Sequence, residues 1–162
     1  MTRIFLENER TKSAGRRGTA SVNDEIQADS AAILNSVRKH RTNAAKRRGN
    51  EGEQKAAEFL RRSGYTIIER NWRTQSGEID IIAEKDGVIV FAEVKTLPSG
   101  LPQTLEHVLG TTKQQKIIET AKCFLSKHRQ YNNRLIRFDA LVIDMPDFPP
   151  IYHIADAFSE LT

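Results

Sequence analysis

Cysteine is nearly absent. Cys123 is the only one in 162 residues, which excludes a disulfide framework or thiolate metal site and points to a reducing compartment. No apolar run approaches transmembrane length, and the N-terminus lacks the apolar core of a signal peptide. A cytoplasmic protein with no membrane partner is expected. The four histidines, His40, His107, His128 and His153, have no ligand spacing, which argues against zinc. There is no Gly-rich phosphate loop, no Ser-His-Asp arrangement and no internal repeat.

Charge is present but unevenly placed. The chain carries a net +4, yet residues 1–50 hold 11 Lys plus Arg against 5 Asp plus Glu, and residues 51–162 hold 14 against 16. Arg38-Lys39-His40-Arg41 and Lys46-Arg47-Arg48 suit salt-sensitive contacts to phosphates. A solvated basic arm is the competing reading.

The length suits one domain with a tail. Residues 1–45 read as a basic tail, largely disordered or weakly helical, with helical spacing at Ile26, Ile33, Leu34 and Val37. Residues 46–158 read as the folded domain. Its expected order is a helix over Glu51 to Ser63 ended by Gly64, then strands over Tyr65 to Trp72, Ile79 to Glu84 and Val88 to Lys95. A long loop follows, then a helix from Thr111 or Thr112 to about His128, and strands over Leu135 to Asp144 and Ile151 to Ile154. This is an α/β plan, an antiparallel three-stranded meander continued into a sheet that helices cover.

The most informative feature is a set of charges on strand faces that should be apolar. Asp80 shares its face with Ile82, while Glu93 and Lys95 share theirs with Ile89 and Phe91. Asp86-Gly87 between the two strands is a strong hairpin signal. A two-residue loop there sets Lys85 against Val88, Ile82 against Phe91 and Asp80 against Glu93. Directly opposed residues have Cβ atoms roughly 4.5–5.5 Å apart, and a like-charged pair there is destabilising unless neutralised. Mg²⁺ suits the task, being held by one or two carboxylates, waters and phosphate oxygens. Lys95, two residues along the same face, can reach a reacting phosphate or the attacking water.

Two polar residues repeat the pattern on helices. Glu53 continues the stripe of Ala56, Ala57 and Leu60, and Gln114 that of Ile117, Ile118, Ala121 and Leu125. Each lies one turn from its helix start, where capping or solvation is the bland alternative. Trp72 reads as a packed core indole with an anchored N–H rather than a base-stacking platform. Asp139 can buttress the site or equally pair with Arg137 or cap a backbone amide, a structural role being favoured, and Cys123 reads as a buried inert thiol.

These residues carry a resemblance. Gly49-Asn50-Glu51-Gly52-Glu53, Asn71-Trp72-Arg73, Gly77-Glu78-Ile79-Asp80, Phe91-Ala92-Glu93-Val94-Lys95, Lys113-Gln114 and Arg137-Phe138-Asp139 occur in the order seen in the YraN family of uncharacterised bacterial proteins. That family resembles the archaeal Holliday-junction resolvases and the restriction-endonuclease-like superfamily with its PD-(D/E)xK signature. The resemblance covers about residues 46 to 145. It departs from the wider signature at Ile79, which replaces the proline, and over Leu97 to Leu109, where the family tends to have Arg and Ser soon after the lysine.

The resemblance implies a restriction-endonuclease-like fold and a Mg²⁺- or Mn²⁺-dependent endonuclease acting on nucleic acid, DNA above all and branched or flapped DNA in particular. It implies that Asp80 and Glu93, with the Val94 carbonyl, hold the metal. Lys95 is then the catalytic lysine, Glu53 the acid from the first helix and Gln114 a polar helix residue of the site. Resolvase-like relatives extend the analogy to a homodimer. The alternative is a non-catalytic nucleic-acid or protein binding module that keeps the fold.

Overall fold

A computed structural model describes the backbone of residues 22–99 and 109–159, with side chains from residue 35 onward. The expectations for residues 1–21 and for most of the Leu97 to Leu109 stretch lie outside the described residues. The chain divides into two units, residues 1–41 and 42–162, and the folded core belongs to the second.

Helix α1 spans Val22–Arg62. The sequence reading keeps a weakly helical tail separate from a helix that begins at Glu51; the backbone instead stays helical across the two, through Gly49, Asn50 and Gly52. Tertiary contact outweighs the roughly 1 kcal/mol that each interior glycine costs. At Gly52 the reason is close approach, since a Cβ built there overlaps Thr96 Oγ1 and comes within 3.4 Å of Thr96 Cβ. Gly52→Ala should therefore destabilise the fold by about 1–3 kcal/mol, with most of the loss restored by Thr96→Ala in the double mutant. Equilibrium urea unfolding checks this, and a loss that persists in the double mutant would place the clash elsewhere.

Five strands follow: β1 (Thr66–Arg73), β2 (Glu78–Lys85), β3 (Val88–Thr96), β4 (Leu135–Ile143) and β5 (Ile151–Phe158). They form one sheet in the order β1-β2-β3-β4-β5. Only β3 and β4 run parallel; the other neighbours are antiparallel. Helix α2 (Thr111–Lys127) makes the crossover between the parallel pair, followed by a 3-10 turn at Arg129–Tyr131. Asp86 and Gly87 both take positive φ, 52° and 79°, as a type I′ hairpin turn requires. The register matches expectation as far as Ile81 opposite Ala92.

Each face of the sheet carries its own core. On one, Ala56, Ala57 and Leu60 of α1 pack on Ile81, Ala83, Val90, Ala92 and Leu141. On the other, Ile117, Ile118, Ala121 and Phe124 of α2 pack on Ile82, Ile89, Phe91 and Phe138. Phe124 is fully buried there, whereas Leu125 only packs at the margin. The result is the restriction-endonuclease-like α/β arrangement, with a meander at one side of the sheet and helices on both faces.

Trp72 packs edge-on against Phe124 with ring centres 5.3 Å apart. Its indole Nε1 is buried without a hydrogen bond, so the ring is held by packing and not by the anchored N–H that the sequence suggests. Cys123 is half-buried, because the stripe that α2 buries turns toward Phe124.

Candidate active site

The β2–β3 ladder ends one step before Asp80. Ile79 joins the cluster of Ile82 and Phe91, whereas Ile81 joins the opposite one. Strict alternation would put Ile79 with Ile81, so the pleat loses phase at Asp80. The side chain supplies the cause: Asp80 Oδ2 accepts the Val94 N–H at 2.7 Å, a carboxylate taking an amide that the β2 backbone no longer meets. The strands splay, and the polar ends of β2 and β3 open into a cleft.

That cleft has a volume of about 450 Å³. Four carboxylates line it, Glu53, Glu78, Asp80 and Glu93, together with Arg48, Lys95 and Lys113 as cationic groups and Val94 in the wall. Glu53 reaches it because its neighbours Ala56, Ala57 and Leu60 bury that face of α1 against the sheet. Lys95 is exposed, two residues beyond Glu93 on the same strand.

Asp80 and Glu93 are only 6% and 8% exposed, and burial governs their protonation. It raises the Asp80 pKa from 3.8 to about 7; the adjacent Glu93 charge adds to the rise and the Val94 amide opposes it. Burial likewise raises Glu93, countered chiefly by the Lys113 ammonium. Near neutral pH the two carboxyls behave as one pair reluctant to carry both charges.

Glu93 Oε2 is buried with Lys113 Nζ, 3.0 Å away, as its ion-pair partner, and it is the Lys113 charge that chiefly offsets the effect of burial on Glu93. Two buried carboxylates side by side, with a single lysine to balance them, are a donor set that fits a hard divalent cation. Among the described residues no three or more His, Cys, Asp or Glu side chains cluster closely enough to hold a metal by themselves. The side chains present that could hold such an ion are Asp80 and Glu93, to which the family resemblance adds the Val94 carbonyl, with waters or substrate oxygens completing the set.

Asp80, Glu93, Val94, Lys95 and Glu53 thus share one cleft. Gln114 does not line it; its amide donates to the Leu109 carbonyl at 2.6 Å and ties the incoming chain to α2. Neither Thr111 nor Thr112 caps that helix, whose N-cap is Gly110 without a side-chain bond. Lys113 and Glu78 are cleft residues that stand in the quoted motifs but to which the sequence assigned no role, and Arg48 is one that it placed in the basic run Lys46-Arg47-Arg48 as a phosphate contact. For Lys113 the one signal was its place beside Gln114 in the first turn of α2.

A second polar cluster lies apart from the cleft. Asp139 is fully buried where the β4–β5 register slips between Phe138 and Ala140. It accepts hydrogen bonds from Arg137 at 2.8 Å and from the Asp156 N–H at 3.1 Å, and pairs with His153 Nε2 at 2.7 Å. Burial alone would raise its pKa; the bonds from His153, Arg137 and Asp156 overcome that and hold it at about 2. Every bond is internal, so Asp139 is structural, and it does both jobs expected of it: pairing with Arg137 and capping an amide.

A family model described as "Uncharacterised protein family UPF0102" matches residues 52–143, a span that contains Glu53, Asp80, Glu93, Lys95 and Lys113. A UPF0102 protein of Treponema pallidum is 46% identical over 117 residues, covering 70% of this chain and 93% of the relative. One from Treponema denticola is 42% identical over 123 residues, 69% of this chain and 95% of that protein. A UPF0102 protein of Granulibacter bethesdensis is 38% identical over 136 residues, covering 84% and 80%.

Proposed function

The chain belongs to the uncharacterised protein family UPF0102, the YraN family, and we propose that it is a divalent-metal-dependent endonuclease hydrolysing phosphodiester bonds in DNA. Branched or flapped DNA is the substrate that the resolvase resemblance favours. The observation that carries the reading is the cleft itself: two buried carboxylates where the β2–β3 ladder stops, with the exposed Lys95 beside them.

Electrostatics gives the metal its place. A phosphodiester entering a cleft floored by Glu53, Glu78, Asp80 and Glu93 is repelled unless a cation intervenes. Asp80, Glu93 and the Val94 carbonyl would hold Mg²⁺ or Mn²⁺, which would supply Lewis acidity toward a phosphoryl oxygen and a lowered pKa for water near neutral pH. The chain's own groups do the rest. Glu53 adds negative charge that favours cation loading, Arg48 meets a flanking phosphate at the rim, and Lys95 orients the attacking water and offsets charge building on phosphorus. One free cysteine suits work in the reducing cytoplasm. Among the described residues no helix is long and apolar enough to cross a membrane.

Incubation of the purified protein with linear, nicked, flapped and four-way DNA and Mn²⁺ or Mg²⁺ tests the proposal. Cleavage by wild type and none by Asp80→Ala is expected; equal cleavage by both would trace the activity to a contaminant. Lys95→Ala should slow cleavage by about 10²- to 10³-fold and leave Mn²⁺ binding intact, because Lys95 is exposed and holds no part of the fold. Calorimetry alongside single-turnover kinetics separates the two effects, and unchanged turnover would remove Lys95 from the chemistry.

A further inference from the structure

Lys113 stands where two environments meet. Its ammonium is 3.0 Å from Glu93 Oε2, with the lysine side chain 35% exposed and the glutamate 9%. The same lysine also lines a second cleft, of about 350 Å³, formed with Gly110, Thr111, Thr112 and Lys116 at the start of α2 and without a carboxylate among the described residues that line it. The acidic cleft therefore contains one cation already in contact with a proposed metal ligand, on a flexible four-carbon stem with solvent-accessible space on its other side. Lys95 also lowers the Glu93 pKa, but its influence ranks below that of Lys113. An ammonium and a divalent cation compete for one buried carboxylate oxygen, since each repels the other at contact distance.

We infer that Lys113 is the resident counter-ion of Glu93 in the ion-free protein, and that it surrenders Glu93 and swings toward the α2 cleft when a divalent cation loads. The inference rests on the reading of Asp80 and Glu93 as the ion-holding pair. Lys113 has two effects. It limits the penalty of leaving Glu93 charged and buried before loading, and it weakens cation binding by the free energy of the contact that must break. Loading then releases a cationic side chain at the mouth of the cleft, where a substrate phosphate can take it as partner. Cation and phosphate thereby favour each other's binding, a coupling that is reciprocal by linkage. Lys113 is a positioning residue: it acts through Glu93 and sets the affinity of the site.

Isothermal titration calorimetry with Mn²⁺ alone tests this on wild type, Lys113→Met, Lys113→Arg and Lys116→Met, each first checked for a cooperative thermal melt. Lys113→Met keeps the length of the stem and loses the charge. It should bind Mn²⁺ about tenfold more tightly, equivalent to roughly 1.4 kcal/mol for one charge-assisted contact. Its metal-free form should melt below wild type, with a larger Mn²⁺-induced rise. Lys113→Arg should restore wild-type affinity, and Lys116→Met should match wild type because it lines only the second cleft. A Lys113→Met affinity equal to or weaker than a measurable wild-type affinity overturns the inference and leaves the site reading standing. Absence of Mn²⁺ uptake by wild type overturns both.

Discussion

Asp80→Asn should raise the melting temperature of the metal-free protein by about 5 °C while lowering cleavage by about 10³-fold or more. The amide is nearly isosteric and its oxygen can still accept the Val94 N–H that Asp80 Oδ2 now takes at 2.7 Å. What it removes is the tendency to bury a second negative charge beside Glu93; burial and the Glu93 charge are the two largest effects that raise the Asp80 pKa. Opposite signs for stability and activity mark a site whose strain serves a ligand, because functional groups that conflict with the fold persist only where function requires them. Differential scanning calorimetry in EDTA, paired with single-turnover cleavage, checks both halves. A variant less stable than wild type would mean that the Asp80 charge is already compensated within the fold.

Metal-free stability should fall, not rise, between about pH 4 and pH 7. Asp80 binds its proton more tightly in the folded state, with a pKa of about 7 against 3.8 unperturbed. Across that window the native state holds the extra proton, so its advantage is greatest below pH 4 and is lost as pH climbs through 7. The difference corresponds to on the order of 4 kcal/mol, and Glu93 shifts in the same direction. Asp139 works with the opposite sign. Its pKa of about 2 against 3.8 gives stability that is present above pH 4 and disappears as pH falls toward 2. The EDTA-treated protein should thus be most stable near pH 4, and saturating Mn²⁺ should flatten or reverse the slope above it, since a cation stabilises the ionised pair. Urea unfolding from pH 2.5 to 8 with and without Mn²⁺ measures the profile; a metal-free maximum at neutral pH would contradict the burial of Asp80.

The sequence made the hairpin legible because one local signal dictates it. Asp86-Gly87 fixes the turn, the turn fixes the register, and period two carries Asp80 and Glu93 to the same end of the sheet. The sequence could not show that the ladder stops before they pair, since the interruption comes from the Asp80 carboxylate bonding a backbone amide on the next strand. Ile79 changes sides for the same reason. The continuity of α1 with the tail helix was not legible, because the role of Gly52 is tertiary: it permits the approach of α1 to Thr96 that seats Glu53 in the cleft. Lys113 was hidden by its ordinary appearance: a lysine in the first turn of a helix means nothing until α2 is docked on Phe91 and its N-terminus faces Glu93. Gln114 was favoured by family position and a shared stripe, but its amide is spent on the Leu109 carbonyl. The role of Asp139 was readable from its neighbour Arg137, whereas the contribution of His153 required the β4–β5 pairing.

Anomalous diffraction from crystals soaked in Mn²⁺ addresses the central claim most directly. A single strong peak should lie between the carboxylates of Asp80 and Glu93, within reach of the Val94 carbonyl, with the Lys113 ammonium moved off Glu93. Crystals with no peak at that position, and with Lys113 still seated on Glu93 at saturating Mn²⁺, would contradict the account.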